Sequence, residues 1–461
     1  MKLLSKLITV AATTFWLTSS WAATINVEDG QSIQDAVTAA APGDTITVQP
    51  GTYKETVYID KDNITLQGVI IEGEWANLEG ESQRNDAILY SGSGITIENF
   101  KITHYKGNGI MGQAGNNYII RNNWVIDTGV YGIFPEFGKN GLIEHNVLSG
   151  IEDAAIYVGM CDNVDVRHNE VFASVAGIEI ENTRHALVEN NYVHDNTGGI
   201  LAFVTPGLPI KTTYDVIIRD NFVVNNNLEN FAIPGSIVSF VPRGTGMIIM
   251  AADDVIIENN IITGNENIGI AIASLDFIAS VASDPDSEPN PDRIQILNNL
   301  MWDNGNNTHG DVKALALATT LSTRGPDIGN IGAGIDGCIL EKDRYRSYGL
   351  GDYTRCERES TADVTTYTLA EPVPVRVIAA SEKGEAAYFG ICAGCHAYNA
   401  RMIGPPTVSI QAMYQGRPEA IAEYIAAPIR HREDYPEMPP QNYLSDEVRL
   451  AAAKYMLQLT K

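Results

Sequence analysis

The stretch Ile143-Glu144-His145-Asn146-Val147-Leu148 decides the fold, because its pattern recurs along the chain: an aliphatic residue, two polar residues, asparagine, a variable residue and an aliphatic residue. The clearest copies are 120–125, 143–148, 166–171 and 188–193, with later copies around Asn221, Asn260 and Asn299. Starting at Phe100, where phenylalanine replaces the asparagine, the marker recurs after 23, 23, 23, 22, 30, 39 and 39 residues. Steps near 23 are too short for a pair of helices and are typical of a β-solenoid coil of three short strands. The longer steps indicate the same coil with insertions.

The asparagine in each copy is interpreted as a structural residue. Asparagine tolerates the left-handed backbone of a turn, and equivalent asparagines on stacked coils can form a hydrogen-bonded ladder. Each strand should alternate inward aliphatic with outward polar side chains. The sequence therefore predicts a mostly β chain whose coils stack over residues 23–310.

The beginning of this region carries a further signal. Residues 32–37 (SIQDAV) have the pattern of a short amphipathic helix, and 42–46 (PGDTI) and 50–53 (PGTY) follow it. Over roughly residues 25–310 the chain resembles the pectate-lyase-like right-handed parallel β-helix superfamily, and the resemblance implies that fold. The superfamily includes lyases, hydrolases, epimerases and non-catalytic scaffolds, so the resemblance implies no single activity.

A second motif, Cys392-Ala393-Gly394-Cys395-His396, lies well behind the repeats. Two cysteines at this spacing can bind the vinyl groups of haem as thioethers, and the adjacent histidine can ligate the iron. A disulfide and a zinc pair are the alternatives, but zinc needs two further ligands at matching spacing, which the sequence lacks. We therefore predict one covalent haem c per chain.

Around this motif, residues 378–461 resemble the class I c-type cytochromes, which are small all-α domains. The resemblance implies that Pro405, in the run Gly404-Pro405-Pro406, accepts the ring N–H of His396. It also implies that Met438, which stands before a predicted last helix at 444–459, is the second iron ligand. His431 is the alternative ligand. With both axial positions filled by protein, electron transfer is the expected role.

Several acidic residues are predicted to share the outer face of one sheet. Aligning the coils through Ile133, Ile156, Ile178 and Ile200 places these outward residues on successive coils: Glu136, then Asp153 and Tyr157, then Glu179 and Glu181. Tyr157 and Glu179 should be neighbours, since adjacent coils lie about 4.8 Å apart. Grouped carboxylates can act as acid and base or bind Ca²⁺, and the nearby rings of Phe134, Tyr157 and Phe203 could stack on sugars. An acidic solvated face, or a docking patch for a basic redox partner, is the alternative.

The ends of the chain suggest its location and organisation. Residues 1–22 are predicted to be a secretory signal peptide, since Lys2 and Lys6 precede a short apolar run and a Ser20-Trp21-Ala22 cleavage site. We therefore expect a periplasmic or otherwise exported protein that is not inserted in the membrane after cleavage. Residues 311–377 are interpreted as a C-terminal cap and linker before the cytochrome domain at 378–461. In an oxidising compartment Cys338 and Cys356 can form a disulfide or remain two buried thiols.

The net charge of -26, from 31 basic and 57 acidic residues, argues against nucleic acid as a partner. It also disfavours a polyanionic glycan unless Ca²⁺ or a basic patch offsets it. The leading hypothesis is a periplasmic haem c electron-transfer protein whose β-helix binds a polysaccharide or a redox partner protein. The alternative is a carbohydrate-active enzyme with its chemistry at Asp153, Tyr157, Glu179 and Glu181, and with an accessory cytochrome domain. A purely structural β-helix is the third hypothesis.

Overall fold

The computed structural model describes residues 22–279 and 283–460. Apart from Ala22, the predicted signal peptide therefore lies outside the described residues. No helix within the described ranges is long and apolar enough to cross a membrane.

Three parallel sheets form the sides of a parallel β-helix, and neighbouring strands in each sheet come from successive coils. Sheet A contains Thr24–Val27, Thr45–Val48, Thr65–Gly68, Thr96–Glu98, Tyr118–Arg121, Lys139–Glu144, Asp162–Arg167, Arg184–Glu189, Thr213–Arg219, Ala252–Glu258, Gln295–Leu297 and Cys338–Ile339. Sheet B contains Gly51–Tyr53, Ala76–Glu79, Phe100–Thr103, Trp124–Ile126, Val147–Ser149, Glu170–Phe172, Tyr192–His194, Phe222–Val224, Ile261–Thr263 and Leu300–Trp302. Sheet C contains Val57–Ile59, Ile88–Tyr90, Ile110–Gln113, Ile133–Glu136, Ala154–Gly159, Ala176–Glu181, Gly198–Phe203, Thr245–Met250, Ile268–Ala273, Ile328–Asn330 and Ser347–Tyr348.

The interior of the coils is filled by aliphatic side chains at matching register positions. Ile133 pairs with Ile156, Ile156 with Ile178, and Ile178 with Ile200. All four side chains are completely buried. The predicted alignment of the coils is confirmed, and with it the prediction of which residues face outward from sheet C.

The repeat asparagines are buried in the turns and hydrogen-bond from coil to coil. Oδ1 of Asn146 accepts from N and Nδ2 of Asn123, each at 3.0 Å, and Asn146 donates in the same way to Asn169. The ladder continues through Asn191, Asn221, Asn260 and Asn299, which confirms the structural interpretation. A second ladder, which the repeat pattern did not reveal, runs through Asn196, Asn226, Asn265 and Asn304.

The sheets extend beyond residue 310, where the sequence predicted the last coil to end. Ile328–Asn330 and Ser347–Tyr348 join sheet C, and Cys338–Ile339 joins sheet A. The predicted boundary is therefore too early, because the helix Gly310–Thr320 is inserted within a coil and interrupts the repeat pattern. Cys338 and Cys356 form a disulfide in this last part of the coil region.

Residues 359–376, here called the strap, run back along sheet A toward the middle coils. Asparagine side chains at the coil turns bond to strap backbone groups in reverse order: Asn298 to Glu359, Asn163 to Tyr367, Asn140 to Leu369 and Asn117 to Val373. Buried Thr361 donates its N–H to Glu258 at 2.8 Å and accepts from Arg219. The predicted linker is thus fixed along much of its length, and it returns the chain to the coils that carry the acidic residues.

Residues 383–458, here called the C-terminal helical segment, are all-α and pack on sheet C. Its helices are Lys383–Ala387, Thr407–Met413, Pro418–Ala426 and Asp446–Gln458, with a π-helical turn at Tyr388–Cys392. The other helices of the described residues lie in the β-helix region: Ile33–Ala39, Gly310–Thr320 and the short 3-10 helices Ile237–Phe240, Leu275–Ile278 and Lys342–Arg344. Phe389 meets Phe137 edge-on with ring centroids 5.2 Å apart, and Gln113 donates to the Tyr443 hydroxyl at 2.5 Å. The segment therefore covers the part of sheet C that carries the acidic face.

Candidate active site

The predicted acidic residues lie together on the outer face of sheet C. Tyr157 is the register partner of Glu179, and Gly159 is the partner of both Glu136 and Glu181. Asp153 stands directly before the strand Ala154–Gly159. The strand alternation thus produces the arrangement that the sequence predicts.

These side chains are buried, although they point out of the coil. Asp153 is 6% exposed, Tyr157 1%, Glu179 3% and Glu181 2%. The cover comes from two distant parts of the chain: the C-terminal helical segment, and the insertion at 225–244 that precedes the strand Thr245–Met250. An acidic face in contact with solvent is therefore excluded for these residues.

Two of the carboxyl groups have defined hydrogen-bond partners. Oε1 of Glu136 accepts the backbone N–H of Gly394 at 2.6 Å, and the Thr205 hydroxyl donates to Oε1 of Glu181. Within the described residues, Oε2 of each glutamate and the Tyr157 hydroxyl have no hydrogen-bond partner. Buried polar atoms without partners are uncommon in native proteins and often mark functional positions.

Burial changes the ionisation of the cluster. Desolvation raises the pKa of Glu136 and of Glu181 to about 8. It also raises the pKa of Asp153 and of Glu179, and the negative charge of Asp153 raises the pKa of Glu179 further. Carboxyl groups that keep a proton near neutral pH can serve as general acids.

Three aromatic rings form the wall beside the carboxyl groups. The rings of Tyr131 and Tyr157 stack with centroids 4.4 Å apart, and Phe134 meets Tyr157 edge-on at 4.7 Å. Phe134 and Tyr157 were predicted to face outward, whereas Tyr131 was not recognised. Alternation gave no signal for it, because Tyr131 has the same parity as inward-facing Ile133 and lies before the strand Ile133–Glu136, outside its regular geometry.

A cavity of about 330 Å³ opens over the acidic cluster. Asp153, Tyr157, Glu179 and Glu181 line one end, and the cavity continues along sheet C as far as Ile331. Met402 and Ile403 of the C-terminal helical segment form part of its wall. Clefts of this size, with few converging polar groups, are typical of small-molecule sites. The four residues predicted as catalytic therefore share one cavity.

The Cys-x-x-Cys-His motif forms a helical turn next to this cluster. The N–H of His396 donates to the carbonyl of Cys392 at 2.9 Å, and neither Cys392 nor Cys395 is in a disulfide. Nδ1 of buried His396 lies 2.8 Å from the Pro405 carbonyl oxygen. This contact fixes the ring with Nε2 as the nitrogen that could bind iron. The two thiols and the oriented imidazole therefore fit covalent haem.

The two predicted sixth ligands differ in their surroundings. Met438 is half-buried in the segment between the last two helices, and its neighbour Glu437 pairs with Lys106 of the β-helix. His431 is exposed and stacks on Tyr424, with ring centroids 5.8 Å apart. These surroundings do not assign the sixth ligand, so Met438 stays a prediction.

One acidic cluster on the β-helix has the spacing of a metal site. Asp253, Glu288 and Asp292 are the one group among the described residues with three acidic ligand atoms within 4.8 Å of one another. Arg293 already pairs with Asp253 at 3.1 Å. The group lies apart from the four residues predicted as catalytic, and Ca²⁺ binding on the β-helix remains a prediction.

The comparisons with known proteins concern the coil region. Residues 55–208 and 142–283 match the family described as the right handed beta helix region. The matched residues make up just under half of the chain, and they belong to the region in which three parallel sheets form a parallel β-helix. No curated protein matches this chain.

Several solved β-helix proteins are similar in part. The mannuronan C-5 epimerase AlgE6 A-module of Azotobacter vinelandii is 12% identical, over 70% of this chain and 90% of its own, with a TM-score of 0.43. An exopolygalacturonase of Thermotoga maritima is 13% identical, over 60% and 87%, with a TM-score of 0.41. An alginate lyase of Paenibacillus sp. str. FPU-7 is 14% identical, over 62% and 98%, with a TM-score of 0.36.

Proposed function

We propose that the chain is a carbohydrate-active enzyme that cleaves glycosidic bonds at the cavity on sheet C. The observation that carries the proposal is the burial of Asp153, Glu179 and Glu181 beside a cavity of about 330 Å³. Burying several carboxyl groups is costly to folding. Their retention in a cavity is therefore better explained by chemistry than by stability.

Burial raises the pKa of both Asp153 and Glu179, and the charge of Asp153 adds to the effect on Glu179, so the pair holds a proton near neutral pH. We assign that proton to Glu179. Glu179 is then the general acid that protonates the glycosidic oxygen. Asp153 is the base that takes a proton from water while the remaining hydroxide bonds to the anomeric carbon. Tyr157 and Glu181 would orient the sugar through their unpaired oxygen atoms.

The test is release of reducing ends from a panel of neutral and acidic glycans. Glu179→Gln should lower kcat at least a hundredfold, because an amide cannot donate the proton, and Asp153→Asn should do the same. Glu170→Gln, on sheet B, is the matched control and should retain wild-type turnover. Unchanged turnover in Glu179→Gln on every substrate that the wild type cleaves would remove this assignment.

We also propose that the C-terminal helical segment carries haem c and transfers electrons. The contact between His396 and Pro405 supports this, since a ligating histidine needs such an acceptor to fix its tautomer. Cys392 and Cys395 would hold the haem by thioether bonds, and His396 with Met438 would ligate iron. Haem supplies one-electron chemistry when bound. A redox partner protein and an exported, periplasmic location belong to this proposal.

The haem proposal is tested on the purified full chain. A low-spin c-type absorption spectrum after reduction is expected, and Met438→Ala should remove the methionine-to-iron charge-transfer band while His431→Ala retains it. Absence of a covalent haem spectrum would contradict the haem assignment. Survival of the band in Met438→Ala would contradict the role of Met438.

A further inference from the structure

The cavity on sheet C has two chemically different ends. At one end lie the carboxyl groups of Asp153, Glu179 and Glu181. Toward the other end, most of the lining side chains are apolar and belong to later coils and their insertions, among them Leu201, Ile248, Ala271, Phe240, Phe277 and Val312; Thr245, Asn267, His309 and Asp311 are polar residues of these coils that also line the cavity. Cys392, Cys395, His396 and Met438 are not among the residues that line this cavity.

The apolar end is built into the register of the sheet. Leu201 pairs with Ile248, and Ile248 pairs with Ala271, so three successive coils present apolar side chains outward in one line. Neighbouring coils are about 4.8 Å apart, which makes this line roughly 10 Å long. It begins one coil beyond Glu179, which is the register partner of Leu201. A sugar ring held at the carboxyl groups would leave this line uncovered.

The walls of the apolar end come from the insertions that lengthen the later coils. Phe240 belongs to the insertion before the strand Thr245–Met250, and Phe277 to the insertion after Ile268–Ala273. Val312 lies on the inserted helix Gly310–Thr320. All three insertions bring apolar side chains to the same space, which gives the later, longer coils a common role.

The carboxyl end of the cavity has buried polar atoms without hydrogen-bond partners among the described residues. Oη of Tyr157 and Oε2 of Glu181 are buried and have no hydrogen-bond partner within the described residues. Both side chains are at most 2% exposed and line the cavity. Sugar hydroxyl groups could donate to and accept from these atoms.

We infer that the cavity binds an amphipathic ligand, with a hydroxylated sugar at the carboxyl groups and an apolar substituent along Leu201, Ile248 and Ala271. The sugar part of this inference rests on the proposed function. The apolar part rests on the register and on the insertions. An acyl chain and a hydrocarbon aglycone share the required chemistry, which is an apolar group attached to a sugar.

Calorimetry on the purified full chain tests the inference. The probes are matched methyl and n-octyl pyranosides of glucose, galactose and mannose, with n-octanol as the arm that lacks a sugar, all below micelle-forming concentrations. At least one octyl pyranoside should bind ten times or more tighter than its methyl partner, because burial of its chain removes apolar surface from water. Equal affinity of octyl and methyl pyranosides would overturn the inference, and so would octanol binding as tightly as the octyl pyranosides.

Two variants test whether the preference for the octyl group arises at the apolar end of the cavity. Ala271→Phe fills the line of apolar residues, and Val312→Asp replaces an apolar lining side chain with a second charge beside Asp311, so both should bring the octyl-to-methyl affinity ratio near one. Ala362→Phe on the strap is the matched control and should keep the wild-type ratio. A wild-type ratio in both Ala271→Phe and Val312→Asp would overturn the inference.

Failure of the apolar site and failure of the proposed catalysis give different results. An absent octyl preference together with turnover that depends on Glu179 would overturn the apolar site alone. An intact octyl preference together with turnover that does not depend on Glu179 would overturn the proposed catalysis alone.

Discussion

At the scale of single residues, the asparagine ladder shows how a polar side chain can hold a coil together. Asn169 accepts from the N and Nδ2 groups of Asn146 and donates Nδ2 to the Ile143 carbonyl and to Asn191. All these groups are buried, so each one depends on its partner in the next coil. The ladder therefore replaces water as the hydrogen-bonding partner of the turn backbone.

Asn169→Ala should lower the free energy of unfolding by about 3 kcal/mol, because several buried groups lose their partners at once. Urea denaturation followed by circular dichroism measures the change. Asn306→Ala, at an exposed turn, is the control and should stay within about 0.5 kcal/mol of wild type. A loss in Asn169→Ala no greater than in the control would contradict the role of the ladder.

The buried carboxyl groups predict how stability depends on pH. Desolvation raises the folded-state pKa of Glu181 to about 8, above its unfolded value, so between about pH 4.5 and 8 the folded state binds the proton and the unfolded state does not. The free energy of unfolding should therefore fall as pH rises through this window. Glu181→Gln should reduce that slope by about 1.4 kcal/mol per pH unit.

Denaturation of both proteins at pH 5, 6, 7 and 8 gives the two slopes. Glu170→Gln, on the half-exposed face of sheet B, serves as the control and should keep the wild-type slope. Parallel slopes for wild type and Glu181→Gln would show that Glu181 titrates as an ordinary carboxyl group.

At the scale of elements, the regular coils could be predicted from the sequence and the insertions could not. Residues 120–193 repeat every 22 or 23 residues, so inward and outward positions follow from alternation alone. The insertions break this period and carry no pattern of their own. For that reason the sequence did not predict that Phe240, Phe277 and Val312 wall the cavity, nor that helix Gly310–Thr320 is followed by further coil strands.

The burial of the acidic face could also not be predicted from the sequence. It depends on contacts between residues far apart in the chain, such as the hydrogen bond between Glu136 and Gly394, which are 258 positions apart. The two motifs could each be recognised locally. Their contact follows from the path of the strap, which has no periodic pattern.

If the strap is fixed by its contacts, replacing one buried threonine in it should lower the stability of the protein. Thr361 is completely buried and contacts Glu258 and Arg219, so Thr361→Ala should cost about 1 to 2 kcal/mol of unfolding free energy. The variant should also speed limited proteolysis within residues 355–377, since the strap would detach more often. Thr365→Ala, an exposed position on the strap, is the control. Equal cleavage rates for the two variants would contradict a fixed strap.

At the scale of the whole molecule, one chain brings together an acidic cavity and a helical segment that fits haem. The charge of -26 disfavours polyanionic ligands, and the ligand inferred for the cavity, a sugar with an apolar substituent, is not of that kind. Sheet B offers a second surface that could bind a sugar instead of the cavity. Tyr192 and Phe222 are exposed register partners there, and Trp124 occupies the same register position on an earlier coil. Exposed rings in a row can also stack on sugars.

The most direct test of the central claim is a crystal structure of Glu179→Gln grown with the pyranoside or glycan that the wild type binds best. We expect a sugar ring in the cavity on sheet C, with hydroxyl groups bonded to Tyr157 and Glu181 and the scissile oxygen beside residue 179. A sugar ring on the aromatic row of sheet B, with the cavity holding only water, would contradict it.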